Sequence, residues 1–143
     1  MQILQQPPKV VLCIDDEECV LECLLAFLGD MGYNVLTAAS GAKGLALFNS
    51  HLVDVVILDY RMPEMNGHQV AAAIKRCQPN VPVIMLSGEV EVPSETLDVV
   101  DAFVQKSGRG CFATITKLVA CLSAAIPSQL PPEISAPVTR TRL

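Results

Sequence analysis

Long hydrophobic runs are missing from this sequence, and so are paired cysteine motifs and clusters of basic residues. No apolar run approaches the roughly 18 residues that a membrane-spanning helix needs, so we do not expect a membrane protein. The N-terminus has no basic stretch ahead of a long apolar core, so we read no signal peptide and expect a cytoplasmic location. The net charge of −5 argues against direct binding to a nucleic-acid backbone, which requires clustered Lys and Arg.

Cysteine and histidine do not occur in the spacing of a typical zinc site. None of the six cysteines forms a CxxC pair, and the chain contains only two histidines. We therefore interpret the cysteines as reduced residues that serve as small apolar side chains.

The length of 143 residues suits one domain with a substantial core, and 51% of the chain is hydrophobic. We expect the domain to cover residues 9–126, after an N-terminal extension over 1–8. Residues 127–143 contain several prolines, which predicts a mobile tail.

Short runs rich in β-branched residues alternate five times with amphipathic segments. Central runs are apolar throughout, as expected for strands that are covered on both faces. This alternation predicts an α/β fold in which a parallel sheet carries helices on both sides. The five runs are KVVLCI, NVLTAA, DVVILD, VPVIML and DAFVQ.

Apolar spacings of three and four residues predict which side of each helix faces the sheet. For the first helix, which we expect to stop at Gly32, the predicted inward residues are Val20, Cys23, Leu24, Phe27, Leu28 and Met31. For the second helix, which we expect to begin at Ser40, the predicted inward residues are Leu45 and Phe48. For the third helix, which we expect to begin at Asn66 or Gly67, they are Val70, Ile74 and Cys77. A short fourth helix is expected over 94–100 and a fifth over 111–126.

Polar side chains follow four of the predicted strands. Asp15 and Asp16 end the first strand, Asp59 the third, Ser87 the fourth and Lys106 the fifth. Since parallel strands end at one edge of the sheet, these groups should lie close together.

Each of these polar residues has an ordinary explanation when it is taken alone, as a helix cap, a turn residue or an exposed charge. Taken together they indicate a site, because three neighbouring carboxylates repel unless a cation neutralises them. Carboxylates favour a hard cation such as Mg²⁺. An aspartate can attack phosphorus, and an ammonium and a hydroxyl suit an incoming phosphoryl group.

The ordered set of Asp15, Asp16, Asp59, Ser87 and Lys106, with Asp59 inside LDYRMPEMNG, resembles the receiver domain of two-component response regulators. The resemblance implies a flavodoxin-like three-layer α/β/α fold whose doubly wound, five-stranded sheet has the order 2-1-3-4-5. It also implies a phosphoacceptor rather than an enzyme in the usual sense.

The resemblance assigns roles at the acidic end of the site. Asp59 would accept a phosphoryl group from the phosphohistidine of a histidine kinase or phosphotransfer protein. Mg²⁺ would be bound directly by Asp16 and Asp59 and by the main-chain carbonyl of Arg61, while Asp15 would act through water.

Further roles concern the other strand ends. By the resemblance, Lys106 would pair with the phosphate, and Ser87 would hydrogen-bond it and pass the change to a switch aromatic, here Phe103. The family usually has Pro after the Lys, with a cis bond, whereas Ser107 stands here. We also expect Arg61 and Glu89 to form a gate at the mouth of the site.

The output of the domain is expected at a protein surface. The fifth helix has small or apolar residues on the side that should face water, with one charge, Lys117. We expect this surface to bind a downstream protein partner or to form a homodimer.

Two other functions remain open at this point. A phosphatase of the haloacid dehalogenase type would have a second Asp two residues after the nucleophile, where Arg61 stands. A receiver-like adaptor would bind a partner without phosphorylation. The sequence also leaves open whether this is a stand-alone receiver or a piece of a longer chain.

Overall fold

The computed structural model describes residues 6–89, 91–106 and 110–125. Five strands alternate with five helices along these residues. The strands are β1 (Val10–Ile14), β2 (Asn34–Ala38), β3 (Val55–Asp59), β4 (Val83–Ser87) and β5 (Ala102–Gln105). The helices are α1 (Glu18–Asp30), α2 (Gly41–Ser50), α3 (Gly67–Cys77), α4 (Ser94–Leu97) and α5 (Cys111–Ala125).

All strand pairs are parallel, and the order across the sheet is β2-β1-β3-β4-β5. Alternate residues of β1 enter two separate cores: Leu12 and Ile14 pack with α2 and α3, while Val11 and Cys13 pack with α1 and α5. Helices therefore cover both faces of the sheet, and the predicted doubly wound, three-layer fold is confirmed.

Helix α1 buries part of the predicted side, since Leu24 and Leu28 are buried and Val20 is partly buried, as predicted. Its buried residues are Leu21, Leu24 and Leu28, whereas Cys23, Phe27 and Met31 are exposed. Apolar residues occur nearly all round this helix, so the periodicity alone does not select the buried side.

The second and third helices begin where the sequence predicts. The Ser40 side chain accepts a hydrogen bond from the Lys43 amide, and Asn66 and Gln69 form a capping box at the start of α3. Cys77, predicted to face inward, is exposed because it is the last residue of α3.

Other inward residues of these helices agree with the prediction. Phe48, Val70 and Ile74 are buried, and Leu45 is partly buried against the same core.

Helix α4 is shorter than predicted. It ends at Leu97, because the chain must turn there to place Val99 and Val100 against the core before β5 begins. Just beyond them, the Asp101 carboxylate accepts a hydrogen bond from the Val83 amide and so anchors the start of β4.

Helix α5 buries Ile115 and Val119 against the sheet. Its outer side carries small residues that are exposed, namely Ala113, Ala120, Cys121 and Ala124. None of the helices in the described part of the chain is both long and apolar enough to span a bilayer. Ile126 and the predicted tail lie outside the described residues, as do residues 1–5 of the predicted extension.

Candidate functional site

The carboxyl ends of the strands are tied together by main-chain hydrogen bonds that continue past the strands. The Tyr60 amide donates to the Leu86 carbonyl over 2.9 Å, and the Lys106 amide donates to the Ser87 carbonyl over 2.7 Å. Side chains at the ends of β3, β4 and β5 therefore start from fixed backbone positions.

Three carboxylates meet at this edge. Asp15, Asp16 and Asp59 each offer an oxygen, and these oxygens lie within 4.8 Å of one another. Asp15 is 1% exposed and Asp59 is 4% exposed, whereas Asp16 faces solvent. Burial of two like charges side by side is unfavourable unless positive charge compensates it.

Lys106 supplies part of that positive charge. Its Nζ lies 2.9 Å from Asp15 Oδ2, 3.1 Å from Asp59 Oδ1 and 3.0 Å from Glu17 Oε1. The prediction that Lys106 lies near the acidic cluster is therefore correct, and the ordinary explanation of an exposed charge is wrong.

Burial and neighbouring charges shift the pKa values of three groups in the site. Burial and the neighbouring charge of Asp15 raise the pKa of Asp59 to about 7, although Lys106 acts in the opposite direction. Burial also raises the pKa of Asp15. For Lys106, burial acts to lower the pKa, but the contacts with Asp15 and Glu17 outweigh it and raise the pKa overall. A divalent cation among the carboxylates would complete the neutralisation.

The loop between β3 and α3 packs closely against the nucleophile candidate. The Gly67 amide donates to the Tyr60 carbonyl over 2.7 Å, and a Cβ on Gly67 would lie 2.8 Å from the Tyr60 Cα. Glu64 adopts a positive φ of 69° in the same loop. Glycine at 67 is thus required by close backbone contact, which explains the Asn-Gly pair in the sequence.

An open cleft of about 460 Å³ adjoins the cluster. It is lined by Asp16, Tyr60, Arg61, Met62, Pro63 and Asn66. This cleft leaves the acidic edge open to solvent from the side of the β3–α3 loop.

Ser87 and Phe103 lie on the same face of the sheet. Ser87 is 1% exposed, and its Oγ accepts a hydrogen bond from the Glu89 amide. Phe103 is partly buried against the core beneath α3 and pairs in register with Met85, two residues before Ser87. Ser107, and with it the bond that follows Lys106, lies outside the described residues.

Arg61 and Glu89 contact each other as predicted. Glu89 Oε1 accepts hydrogen bonds from both Nε and a terminal nitrogen of Arg61, the first over 2.7 Å. The Arg61 side chain is 74% exposed and the Glu89 side chain 38% exposed, so solvent weakens this pair.

Two contacts of the site were not foreseen from the sequence. Glu17 contributes a third carboxylate to Lys106; the run of four acids after β1 was the available signal. His68 Nδ1 lies 3.1 Å from Thr96 Oγ1 and so links the start of α3 to α4. No pattern in the sequence indicated that His68 and Thr96 would be partners.

Known proteins resemble the chain over most of its length. Transcriptional regulatory protein GlrR of Escherichia coli is 40% identical over 141 residues, which cover 97% of this chain and 30% of that protein. The autoinducer 1 sensor kinase/phosphatase LuxN of Vibrio campbellii is 36% identical over 89 residues, 62% of this chain and 10% of that protein. The chain thus spans less than a third of either relative.

Solved structures agree with the fold. Response regulator TrrA of Thermotoga maritima, solved in complex with Mg²⁺ and BeF, aligns with a TM-score of 0.74 and 32% identity. The alignment covers 80% of this chain and 98% of that one. TrrA in complex with the histidine kinase ThkA gives a TM-score of 0.71 and 31% identity, over 80% and 97% of the two chains.

A family sequence model matches the part of the chain that contains the polar residues at the strand ends. The sequence model of the response regulator receiver domain matches residues 11–107, which include Asp15, Asp59, Ser87 and Lys106. The chain therefore belongs to the response regulator receiver domain family.

Proposed function

We propose that Asp59 is a phosphoacceptor that receives a phosphoryl group from the phosphohistidine of a histidine kinase or phosphotransfer protein. The observation that carries this proposal is the placement of a buried carboxylate at the end of β3, 3.1 Å from Lys106 Nζ and beside two further carboxylates. The kinase complex of the similar protein TrrA supports a histidine kinase as the donor.

The residues present fit a magnesium ion. Asp15, Asp16 and Asp59 offer oxygen ligands within 4.8 Å of one another, and burial together with the charge of Asp15 raises the pKa of Asp59 to about 7. We propose that Asp16, Asp59 and the main-chain carbonyl of Arg61 hold the ion directly and that Asp15 acts through water. When bound, Mg²⁺ supplies positive charge that offsets the charge of the phosphoryl oxygens.

The chain's own groups position and accept the phosphoryl group. An Asp59 carboxylate oxygen forms a bond to phosphorus as the phosphorus–nitrogen bond of the donor breaks, and the electron pair of that bond stays on the imidazole nitrogen. Lys106 pairs with a phosphoryl oxygen, and the hydroxyl of Ser87 donates to another. Hydrolysis of the acyl phosphate later restores the carboxylate, so the domain is a self-dephosphorylating acceptor rather than an enzyme acting on many substrates.

We further propose that the change at Ser87 is passed to Phe103 on the same face of the sheet and from there to a protein surface. The exposed small residues of α5 suit a homodimer or a downstream protein partner. We place this signalling in the cytoplasm and propose no direct role in binding nucleic acid.

One experiment separates this function from its alternatives. The intact mass is measured after incubation with Mg²⁺ and acetyl phosphate, for the natural chain and for Asp59→Asn. We expect one added phosphoryl group on the natural chain and none on the variant. Rapid donor turnover without a stable adduct would indicate a phosphatase, and no reaction at all would indicate a phosphorylation-independent adaptor.

A further inference from the structure

Lys106 is shared among three carboxylates before any phosphoryl group is present. Its Nζ donates a hydrogen bond to Glu17 Oε1 and also lies within 3.1 Å of oxygens of Asp15 and Asp59. An ammonium group has three N–H donors and no more. If a phosphoryl oxygen is to pair fully with Lys106, one of the three carboxylates has to move away.

Exposure decides which of the three can leave. The Asp15 and Asp59 side chains are 1% and 5% exposed, whereas that of Glu17 is 56% exposed. Asp15 is fixed further, because its Oδ1 accepts a hydrogen bond from the Glu17 amide over 2.8 Å. Water can replace Lys106 as the partner of the Glu17 carboxylate but not as the partner of the two buried acids.

The hydrogen bonds of Lys106 distinguish Glu17 from Asp15. Lys106 Nζ donates a hydrogen bond to the exposed Glu17 carboxylate over 3.0 Å. Asp15 Oδ2, although it is buried and 2.9 Å from the same nitrogen, has no hydrogen-bond partner within the part of the chain that the structure describes. Glu17 thus shares with the two buried acids a cation that lies about equally close to all three.

We propose that Glu17 is a positioning residue that holds Lys106 in the resting protein and is exchanged for a phosphoryl oxygen when Asp59 is phosphorylated. This inference rests on the proposed function of Asp59. Glu17 lowers the fraction of molecules in which Lys106 is free to meet the phosphoryl group, and the apparent affinity for that group is lowered by the same fraction.

Three variants distinguish the effect of the contact between Glu17 and Lys106 from the effect of negative charge in this segment. Glu17→Gln removes the charge and weakens the contact. Glu17→Asp keeps the charge but is one methylene shorter, which takes the carboxylate out of reach of Lys106. Glu18→Gln removes one charge from the next residue, which is exposed and is not among the described partners of Lys106.

Affinity for the phosphoryl mimic fluoroberyllate, titrated by ¹⁹F NMR at a fixed Mg²⁺ concentration, is the readout. We expect both Glu17 variants to bind about threefold or more tightly than the natural chain and Glu18→Gln to match it. Tighter binding by Glu17→Gln alone would indicate a long-range charge effect and overturn the inference, as would unchanged binding by both Glu17 variants.

Crystal structures of the natural chain, resting and fluoroberyllate-bound, complete the test. We expect Glu17 on Lys106 in the resting protein and away from it in the bound protein. A bound structure in which Glu17 still contacts Lys106 would overturn the inference and leave the proposed function standing. Failure of the natural chain to bind fluoroberyllate would remove the proposed function, and the inference with it.

Discussion

Arg61 and Glu89 join the segments that follow two neighbouring strands, because the guanidinium of Arg61 donates twice to one oxygen of Glu89. Each residue stands two positions after a site residue, Asp59 or Ser87. We expect water that hydrolyses an acyl phosphate on Asp59 to approach through this region of the surface.

The first prediction concerns the lifetime of the phosphorylated protein. An exposed pair contributes only ~0–1 kcal/mol, so we expect Arg61→Ala or Glu89→Ala to change the dephosphorylation rate by no more than about fivefold while phosphorylation remains possible. The dephosphorylation rate is measured by mass spectrometry, as the loss of phosphorylated protein after the donor is removed. Arg76→Ala, which removes an exposed charge at the end of α3, is the control. Equal decay rates in all four proteins would show that the pair is not a gate.

The second prediction concerns the pH dependence of stability without Mg²⁺. The pKa of Asp59 is raised to about 7 in the folded protein from an ordinary value of 3.8, so the folded state binds the proton more tightly than the unfolded state. The contribution of this group to the free energy of unfolding is therefore present at low pH and is lost between about pH 4 and pH 7.

Urea unfolding with a chelator, at several pH values, tests this point. We expect Asp59→Asn to lack much of the decline and to be more stable than the natural chain at pH 7.5. Adding Mg²⁺ should stabilise the natural chain more than the variant, since the variant lacks one of the carboxylates. A natural chain whose stability is flat from pH 4 to 7 would contradict the prediction.

A third prediction concerns the loop beside Asp59. Gly67→Ala places a Cβ 2.8 Å from the Tyr60 Cα. This is a backbone atom, so no change of side-chain rotamer can relieve the clash. We expect a loss of about 1–3 kcal/mol in the free energy of unfolding and slower phosphorylation. Gly29→Ala is the matched control: a Cβ there meets nothing within 4 Å, and the change should stabilise α1 by about 0.5–1 kcal/mol. Equal stabilities of the two variants would contradict the packing argument.

A fourth prediction concerns the outer side of α5. If this helix forms a homodimer interface, Ala120→Glu and Ala124→Glu should place charge in the interface and leave a monomer, with and without phosphodonor. Light scattering gives the mass in solution. Ala46→Glu adds the same charge to an exposed position on α2, in the opposite layer, and should not change the oligomeric state. A natural chain that is monomeric with and without phosphodonor would exclude the homodimer.

The sequence predicted the location of the site better than its internal contacts. Parallel strands with apolar interiors must end at one edge, so the placement of Asp15, Asp59, Ser87 and Lys106 followed from topology alone. Which carboxylates reach one ammonium depends on side-chain rotamers, and the role of Glu17 as a partner of Lys106 was therefore missed.

Helix orientation was predicted least well where the composition was most uniform. In α1 the apolar residues surround the helix, and Phe27, predicted to face the sheet, instead stacks on Phe112 of α5 with ring centroids 5.1 Å apart. Packing between α1 and α5 determines this orientation. The hydrophobic periodicity of one helix carries no information about such contacts with another helix. In α3, where the polar and apolar sides are distinct, Val70 and Ile74 were predicted correctly.

The main-chain bonds from Tyr60 to Leu86 and from Lys106 to Ser87 make the ends of β3, β4 and β5 part of the sheet's own cooperative unit. An amide in such a unit exchanges with deuterium only when the whole unit opens. The Tyr60 and Lys106 amides should therefore exchange as slowly as those of the buried strands, although each lies past a strand end. We therefore expect a signal from Asp59 to be carried by side chains, while these main-chain bonds hold the strand ends in place.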